Sequence, residues 1–511
     1  MPARRFRPSG LLALLLSGLP WADGVAADQG ALRPWNTYHV IMWVGDTVWK
    51  HPDKLPLFLD RLREMGVDTA MVSDGGTPQP FVTNHFPYYV ENLVNRGLCL
   101  KWNSKVADWD RFVTDWAREG RPESAFVRQY CFDDPAWLDW ARGEMRAAAL
   151  ANADYAPLAY DIRDELSVTY SANPFDYDFS PPALAEFRHW LKTQYPDLAA
   201  LNAEWETAFD AWNQVIPFST DEIKNRLASG EAQPRGQPDW QRLESCRFEP
   251  ASAGRNRTRW NFAPWCDFRS YMDRSLAQTL NDLREAAQVV DPRTPVGIEG
   301  TQMPDAFGGY DLWRLSRVLD WAEVYDIGNA RDIFAAFMPG KPILTTVFEK
   351  ETNPARRRLW HLLLEGDRGC IVWWSEDCID WSRPDYELTA KARGLAPVLT
   401  EMKSPLAQLF LRAQREFDPI ALVYSQPSIQ VDWLLESTGD GSTWPRRFSS
   451  FEGDHNRMVK VRDAWLKAFE DLGYSPRFIP ASALTQPDAL ARVKVLVLPT
   501  TRAIAANEVT G

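Results

Sequence analysis

The sequence predicts an α/β protein: a (β/α)8 barrel followed by a smaller, incomplete α/β unit. Short apolar strand patterns alternate with amphipathic helix patterns eight times over roughly 370 residues, the rhythm of a barrel. Most of those strand patterns run straight into acids, amides or aromatics, as barrel strands do on the rim where their loops gather. Beyond Pro405 a second, shorter alternation begins. A doubly wound sheet competes with the barrel, and eight units in succession favour closure.

In chain order, "MPARRFRPSGLLALLLSGLPWADGVAADQG" combines three arginines, an apolar run from Leu11 to Pro20 and small residues around Val25 to Ala27. This is the pattern of a secretory signal, too short in its apolar part to span a bilayer, and it is assigned to residues 1–27. The mature chain is then expected to be secreted or periplasmic. The barrel is assigned to 28–404. "YHVIMWVGD" is its first strand, "DKLPLFLDRLREMG" a helix closed by Gly66, and "VDTAMVSDGG" the second strand. The third strand is either "LCLKWNS" or the nearby "YYVENLV". "APLAYDIRDE", "PVGIEGTQ", "AEVYDIGNA", "KPILTTVFEKE" and "GCIVWWSED" supply strands four to eight. Between strands four and five, "SPPALAEFRHWLKTQY" places Leu184, Phe187, Trp190 and Leu191 on one helical face, with prolines in the first turn. In 405–511, "PIALVYS", "SPRFIPAS" and "ARVKVLVLPTT" are strands around the helix "HNRMVKVRDAWLKAFEDLG". The last of them should be central in its sheet, so the unit is expected to be incomplete.

Composition narrows the partners. The 511 residues carry a net charge of −12 with no basic run after the first segment, which argues against nucleic acid. No later stretch is apolar enough to cross a membrane. Six scattered cysteines, with no C-x-x-C or H-E-x-x-H, give no zinc site, and no phosphate loop is present, so neither metal nor cofactor is expected. The compartment allows one or two disulfides. Twenty-four tryptophans read either as an aromatic core or as stacking platforms for sugar rings, whose C–H faces suit indole.

The strand ends hold the chemistry. They read Asp46, Asp74, Asn103, Asp164 with Glu165, Glu299 with Gln302, Tyr325 with Asp326, Glu349 with Glu351, and Trp373, Trp374 and Glu376. One such acid usually caps a helix or pairs with a base. So many gathered on one rim repel each other, and retaining them points to function. Two carboxyls, one protonated and one ionised, between aromatic walls are what glycosidic hydrolysis requires.

Three segments resemble glycoside hydrolase family 42, the β-galactosidases of a large retaining (β/α)8 clan. "YDIRDELS" followed by "ALAEFRHWLKTQYPDLAALNAEWETAFDAWNQV" is similar to the family's fourth strand and the helix after it. "NFAPWCDFRSYMDRSLAQTLNDLREAAQVVDPRTPVGIEG" is similar to its long helix leading into strand five. "FDPIALVYSQPSIQVDWLLES" resembles the start of its flavodoxin-like second domain. The resemblance implies a retaining β-glycosidase, most like a β-galactosidase, acting on oligo- or polysaccharides by double displacement. It makes Glu165 the acid/base and puts the nucleophile at the end of strand seven, where Glu349 is preferred over Glu351, with Glu299 and Glu376 as rivals. Arg163, Asp164, Asn103, Tyr325, Trp373 and Trp374 are the expected sugar-binding residues, Tyr325 as a hydrogen-bond partner of the nucleophile. Of the two tryptophans, one would floor the sugar site while its neighbour points the opposite way. The second domain implies a trimer-like homo-oligomer.

The chain departs from the family at two places. Family members carry Asn before the acid/base where this chain has Asp164, and the cysteines that bind zinc in some members are missing from "TYSANPFDYDFSPP". An acid at 164 can donate to a sugar hydroxyl only while it holds a proton. Two alternatives therefore stand beside the β-galactosidase reading: a non-catalytic carbohydrate-binding barrel, and a hydrolase of the same clan acting on a uronic or amino sugar, with Lys101 or Arg331 meeting a substrate charge.

Overall fold

The computed structural model describes residues 31–510, apart from 74–75, 103–107, 121, 221–260, 437–456 and 487. The signal assigned to 1–27, and the strand-end residues Asp74 and Asn103, lie outside the described residues.

Eight parallel strands close into a barrel in sequence order: β1 (His39–Met42), β2 (Thr69–Val72), β3 (Tyr88–Val90), β4 (Tyr160–Asp161), β5 (Val296–Thr301), β6 (Trp321–Val324), β7 (Ile343–Val347) and β8 (Gly369–Val372). Closure is made by β1 against β8, from His39 beside Gly369 to Met42 beside Val372. Nearly every strand residue is buried, because one face fills the barrel and the other packs on the helices. That is why the strands read as apolar runs rather than as alternations.

The helices follow the 3.6-residue spacing of their apolar positions. The helix Leu55–Met65 buries Leu55, Phe58, Leu59, Leu62 and Met65 and stops at Gly66, whose φ of 89° closes the last turn. The helix Pro181–Gln194 buries Ala183, Phe187, Trp190 and Leu191, while Leu184 is half-buried at the edge of that face. The third strand comes from "YYVENLV". The described part of "LCLKWNS", 98–102, holds no strand, and its Leu98, Cys99 and Leu100 are buried.

The second unit is a parallel sheet of β9 (Ile420–Tyr424), β10 (Arg477–Pro480) and β11 (Val495–Val497) in the order β10-β9-β11, with β9 central and fully buried. It docks on the helix Ala263–Gln288, which runs into β5. Trp433 stacks on Trp265 with ring centroids 6.1 Å apart and meets Phe307 edge-on at 4.6 Å. Gln426 and Gln430 both donate to Asp273 Oδ2, at 3.1 and 3.0 Å. Among the described residues the five cysteines are all free thiols, and no helix is long and apolar enough to cross a membrane.

Candidate active site

The carboxyl ends of β3 to β8 surround a cavity of about 720 Å³. Its floor is built by hydrogen bonds between neighbouring strand ends. Asn92, at φ 60°, donates its amide to Asp161 Oδ2 (3.0 Å) and accepts the Asp164 amide on its side-chain oxygen (3.0 Å). Asp161 also takes the Glu299 amide at 2.9 Å. Glu323 accepts the Gly300 amide (2.8 Å) and both the amide and hydroxyl of Thr346 (3.1 and 2.7 Å), so both of its oxygens are occupied.

Glu165 is held differently. Its backbone lies in the left-handed region at φ 48°, which costs a non-glycine residue about 1–2 kcal/mol. That turn brings its side chain beside Asp164. A Cβ at Gly300 would lie 2.4 Å from Asp164 Oδ1 and 2.8 Å from Glu165 Cγ, so both side chains pass close to Gly300 and only glycine leaves them room. Tyr325 Oη donates to Glu165 Oε1 at 2.8 Å, and Lys101 Nζ pairs with Oε2 at 2.7 Å. An ammonium and a phenol thus converge on one carboxyl, an arrangement that leaves it only to accept.

The acids around Glu165 are pushed the other way. Burial, reinforced by the Glu165 charge, raises Asp164 well above the usual carboxylate range. Burial, with the charges of Asp161 and Glu91, does the same to Glu299. Burial lifts Glu91 to about 8, Asp161 to about 7 and Glu323 to about 6. The site therefore places proton-bearing acids next to a salt-bridged carboxylate.

Aromatic rings wall the cavity. Trp43, Trp102, Phe348 and Trp373 line it; Trp43 packs on Trp373 with centroids 4.7 Å apart, and Lys101 stands 4.5 Å over the Trp102 ring. Trp373 and Trp374 do not point apart. Their rings stack at 5.3 Å, because β8 ends at Val372 and strand alternation no longer applies to them. Only Trp373 reaches the cavity; Trp374 backs onto Trp43.

Of the expected site residues, Arg163, Asp164, Glu165, Glu299, Tyr325 and Trp373 line the cavity, and Asn103 lies outside the described residues. The strand-seven acids do not line it. Thr346 and Phe348 face the cavity, and β7 ends at Val347, before Glu349 and Glu351. Glu349 instead pairs with Arg358 at 3.5 Å, and Glu351 is the exposed N-cap of the helix Thr352–Leu364. Glu376 is also elsewhere, its Oε1 accepting the Thr47 amide at 3.0 Å. Arg331 is buried away from the cavity, paired with Asp367 at 2.8 Å. Tyr325 bonds Glu165 rather than any strand-seven acid.

Glu91, Asn92, Trp43, Trp102, Phe348 and Glu323 were missed in the sequence. Taking Asn103 as the end residue of strand three hid the first two, while Glu323 stood two residues before Tyr325, on the same face of its strand.

Comparison with known proteins agrees with this barrel. The profile of the family described as Beta-galactosidase, glycoside hydrolase family 42, matches residues 103–252. Over that stretch this chain is similar to glycoside hydrolase family 42. A curated relative, Beta-galactosidase BgaA from Thermus sp., is 31% identical over 129 residues, 25% of this chain and 19% of the relative. The chain thus matches about a fifth of that relative's length. A β-galactosidase from psychrophilic Marinomonas ef1 superposes with a TM-score of 0.58 at 14% identity, over 93% of this chain and 74% of that one. A catalytic mutant of a family 42 β-galactosidase from G. stearothermophilus gives 0.56 at 13% identity, over 92% and 69%. At these identities the structures show a shared fold.

Proposed function

We propose that this chain is a glycoside hydrolase that cleaves terminal β-glycosidic bonds of oligo- or polysaccharides, with β-galactosides the first class to test, after export from the cytoplasm by its N-terminal signal. One observation carries the reading: Glu165, held between Lys101 and Tyr325, and the proton-bearing Asp164 both line one aromatic-walled cavity. Hydrolysis asks for that pair of states. In this scheme Asp164 gives its proton to the leaving glycosidic oxygen, and Glu165 stabilises or attacks the anomeric carbon. Trp43 and Trp373 stack on the sugar faces. This reverses the role that the family resemblance implies for Glu165 and requires no carboxyl from strand seven. By the same resemblance the second α/β unit, 405–511, is proposed to serve homo-oligomer contacts.

The test is hydrolysis of a panel of aryl β-glycosides by the purified protein, with Glu165→Gln and Asp164→Asn alongside. Release from one glycoside, lost in Glu165→Gln, is the expected result. Turnover by Glu165→Gln at the wild-type rate would overturn the assignment. Carbohydrate binding without turnover in the wild type would make the barrel a binding protein.

A further inference from the structure

The scheme above leaves one cation of the cavity unused. Arg163 lines the cavity with Asp164 and Glu165 and is only 6% exposed. Among the described residues its side chain makes no hydrogen bond and no salt bridge, and its Nε is enclosed without an acceptor. The acids around it are engaged elsewhere. Asp161 gives its two oxygens to the amides of Asn92 and Glu299, and Glu323 gives its own to Gly300 and Thr346. Glu91 is set against Trp43 and Asn92, Glu299 against Tyr89, and the charge of Glu165 is offset by Lys101. Burial also keeps protons on Asp164 and Glu299, and on Glu91 up to about 8, so these three bring no charge to the guanidinium at neutral pH. A guanidinium stays charged and carries five donors in a planar fork. Burying one with neither an acceptor nor a counter-charge in contact is costly, which marks Arg163 as an unfilled place for an acceptor.

Resting on the reading of this cavity as a glycoside site, we infer that the sugar it takes carries an anionic oxygen group, a carboxylate or a sulfate ester, which accepts from the Arg163 guanidinium. A neutral hydroxyl can accept from Arg163 too, but a neutral sugar that displaces water from the cavity leaves the buried charge uncompensated. An anionic group supplies the missing charge and two oxygens that match the fork. The size of the cavity, about 720 Å³, and its tryptophan walls suit such a group on a sugar ring.

The experiment uses the purified chain in two assays at about pH 6, below the values at which Asp161 and Glu91 ionise. Calorimetry compares D-glucuronate, D-galacturonate and D-galactose 6-sulfate with D-glucose and D-galactose. Hydrolysis compares the aryl β-D-glucuronide, β-D-galacturonide and 6-sulfo-β-D-galactoside with the matching neutral glycosides. An anionic sugar is expected to be preferred over its neutral counterpart by about tenfold or more. Arg163→Gln should bring that ratio close to one, and Arg163→Lys, which keeps the charge without the fork, should retain part of it. Preference for the uronates makes the anion a carboxylate, and preference for the sulfated sugar makes it a sulfate ester. Melting curves report whether the variants fold; if Arg163→Gln does not, Arg163→Lys and the wild-type panel decide. Equal or stronger binding of the neutral sugars overturns the inference, as does an anion preference that Arg163→Gln leaves unchanged. Neutral galactoside hydrolysis lost in Glu165→Gln, with no anion preference, overturns the inference and leaves the hydrolase reading standing. Anion-selective binding with no turnover of any glycoside does the reverse. Neither binding nor turnover removes both.

Discussion

Tyr325 Oη donates to Glu165 Oε1 at 2.8 Å, tying the end of β6 to the end of β4 across the cavity. The two residues are 160 positions apart in the chain, and only barrel closure brings them together. Glu165 also accepts from Lys101, so the phenol is one of two donors that orient it. Tyr325→Phe keeps the ring and removes the donor. A hydrogen bond to a charged group is worth about 1.5–3 kcal/mol, so kcat is expected to fall about 10- to 100-fold. Steady-state kinetics and a melting curve check this, the latter moving little.

Asp164 is the proton donor of the scheme. Asp164→Asn keeps the shape and removes the proton, so turnover of substrates with poor leaving groups should drop about 10²- to 10⁴-fold, while dinitrophenyl glycosides, which need no protonation, are spared. The wild type should also lose activity on the alkaline side as Asp164 ionises, since its pKa is raised and the protonated form is the active one. Uniform loss across leaving groups would show that Asp164 binds the sugar instead.

Glu349 is expected to be dispensable. It faces Arg358 outside the cavity, in a partly exposed ion pair of the kind worth about 0–1 kcal/mol. Glu349→Gln should change kcat less than about twofold. Loss of activity comparable to that of Glu165→Gln would mean that strand seven turns its acid inward during the reaction, and would return the nucleophile to that position.

Stability should fall as pH rises. Glu91 ionises at about 8 in the fold, against roughly 4.3 in an unfolded chain, because burial favours its neutral form. Between those values the folded state holds a proton that the unfolded state has lost, so the protein loses up to about 1.4 kcal/mol per pH unit from this group. Below about pH 4 the group contributes no slope. Melting temperatures measured from pH 4 to 9 should decline through this window, and the decline should be shallower in Glu91→Gln, which has no proton to lose.

Much of the fold was legible in the chain. Eight apolar runs, each spaced by an amphipathic helix, leave few ways to bury both faces of every strand other than closure. Glu165 was legible because it follows a strand directly, and Gly66 because it ends a helix in the left-handed conformation. Strand three was ambiguous because a buried turn and a buried strand are both short apolar runs, as Leu98 to Leu100 show.

What the sequence determined by itself is the order of elements, the barrel, and a rim rich in acids and tryptophans. Which acids meet was decided only by the tertiary structure. β7 ends at Val347, and beyond it Phe348 enters the cavity while Glu349 turns to Arg358. The strand before them is placed by pairing with its neighbour, Thr346 lying beside Ile371, a long-range contact that no local pattern records. The protonation of Asp164 and Glu299 is likewise a tertiary property, since it arises from burial among charges brought in from other strands.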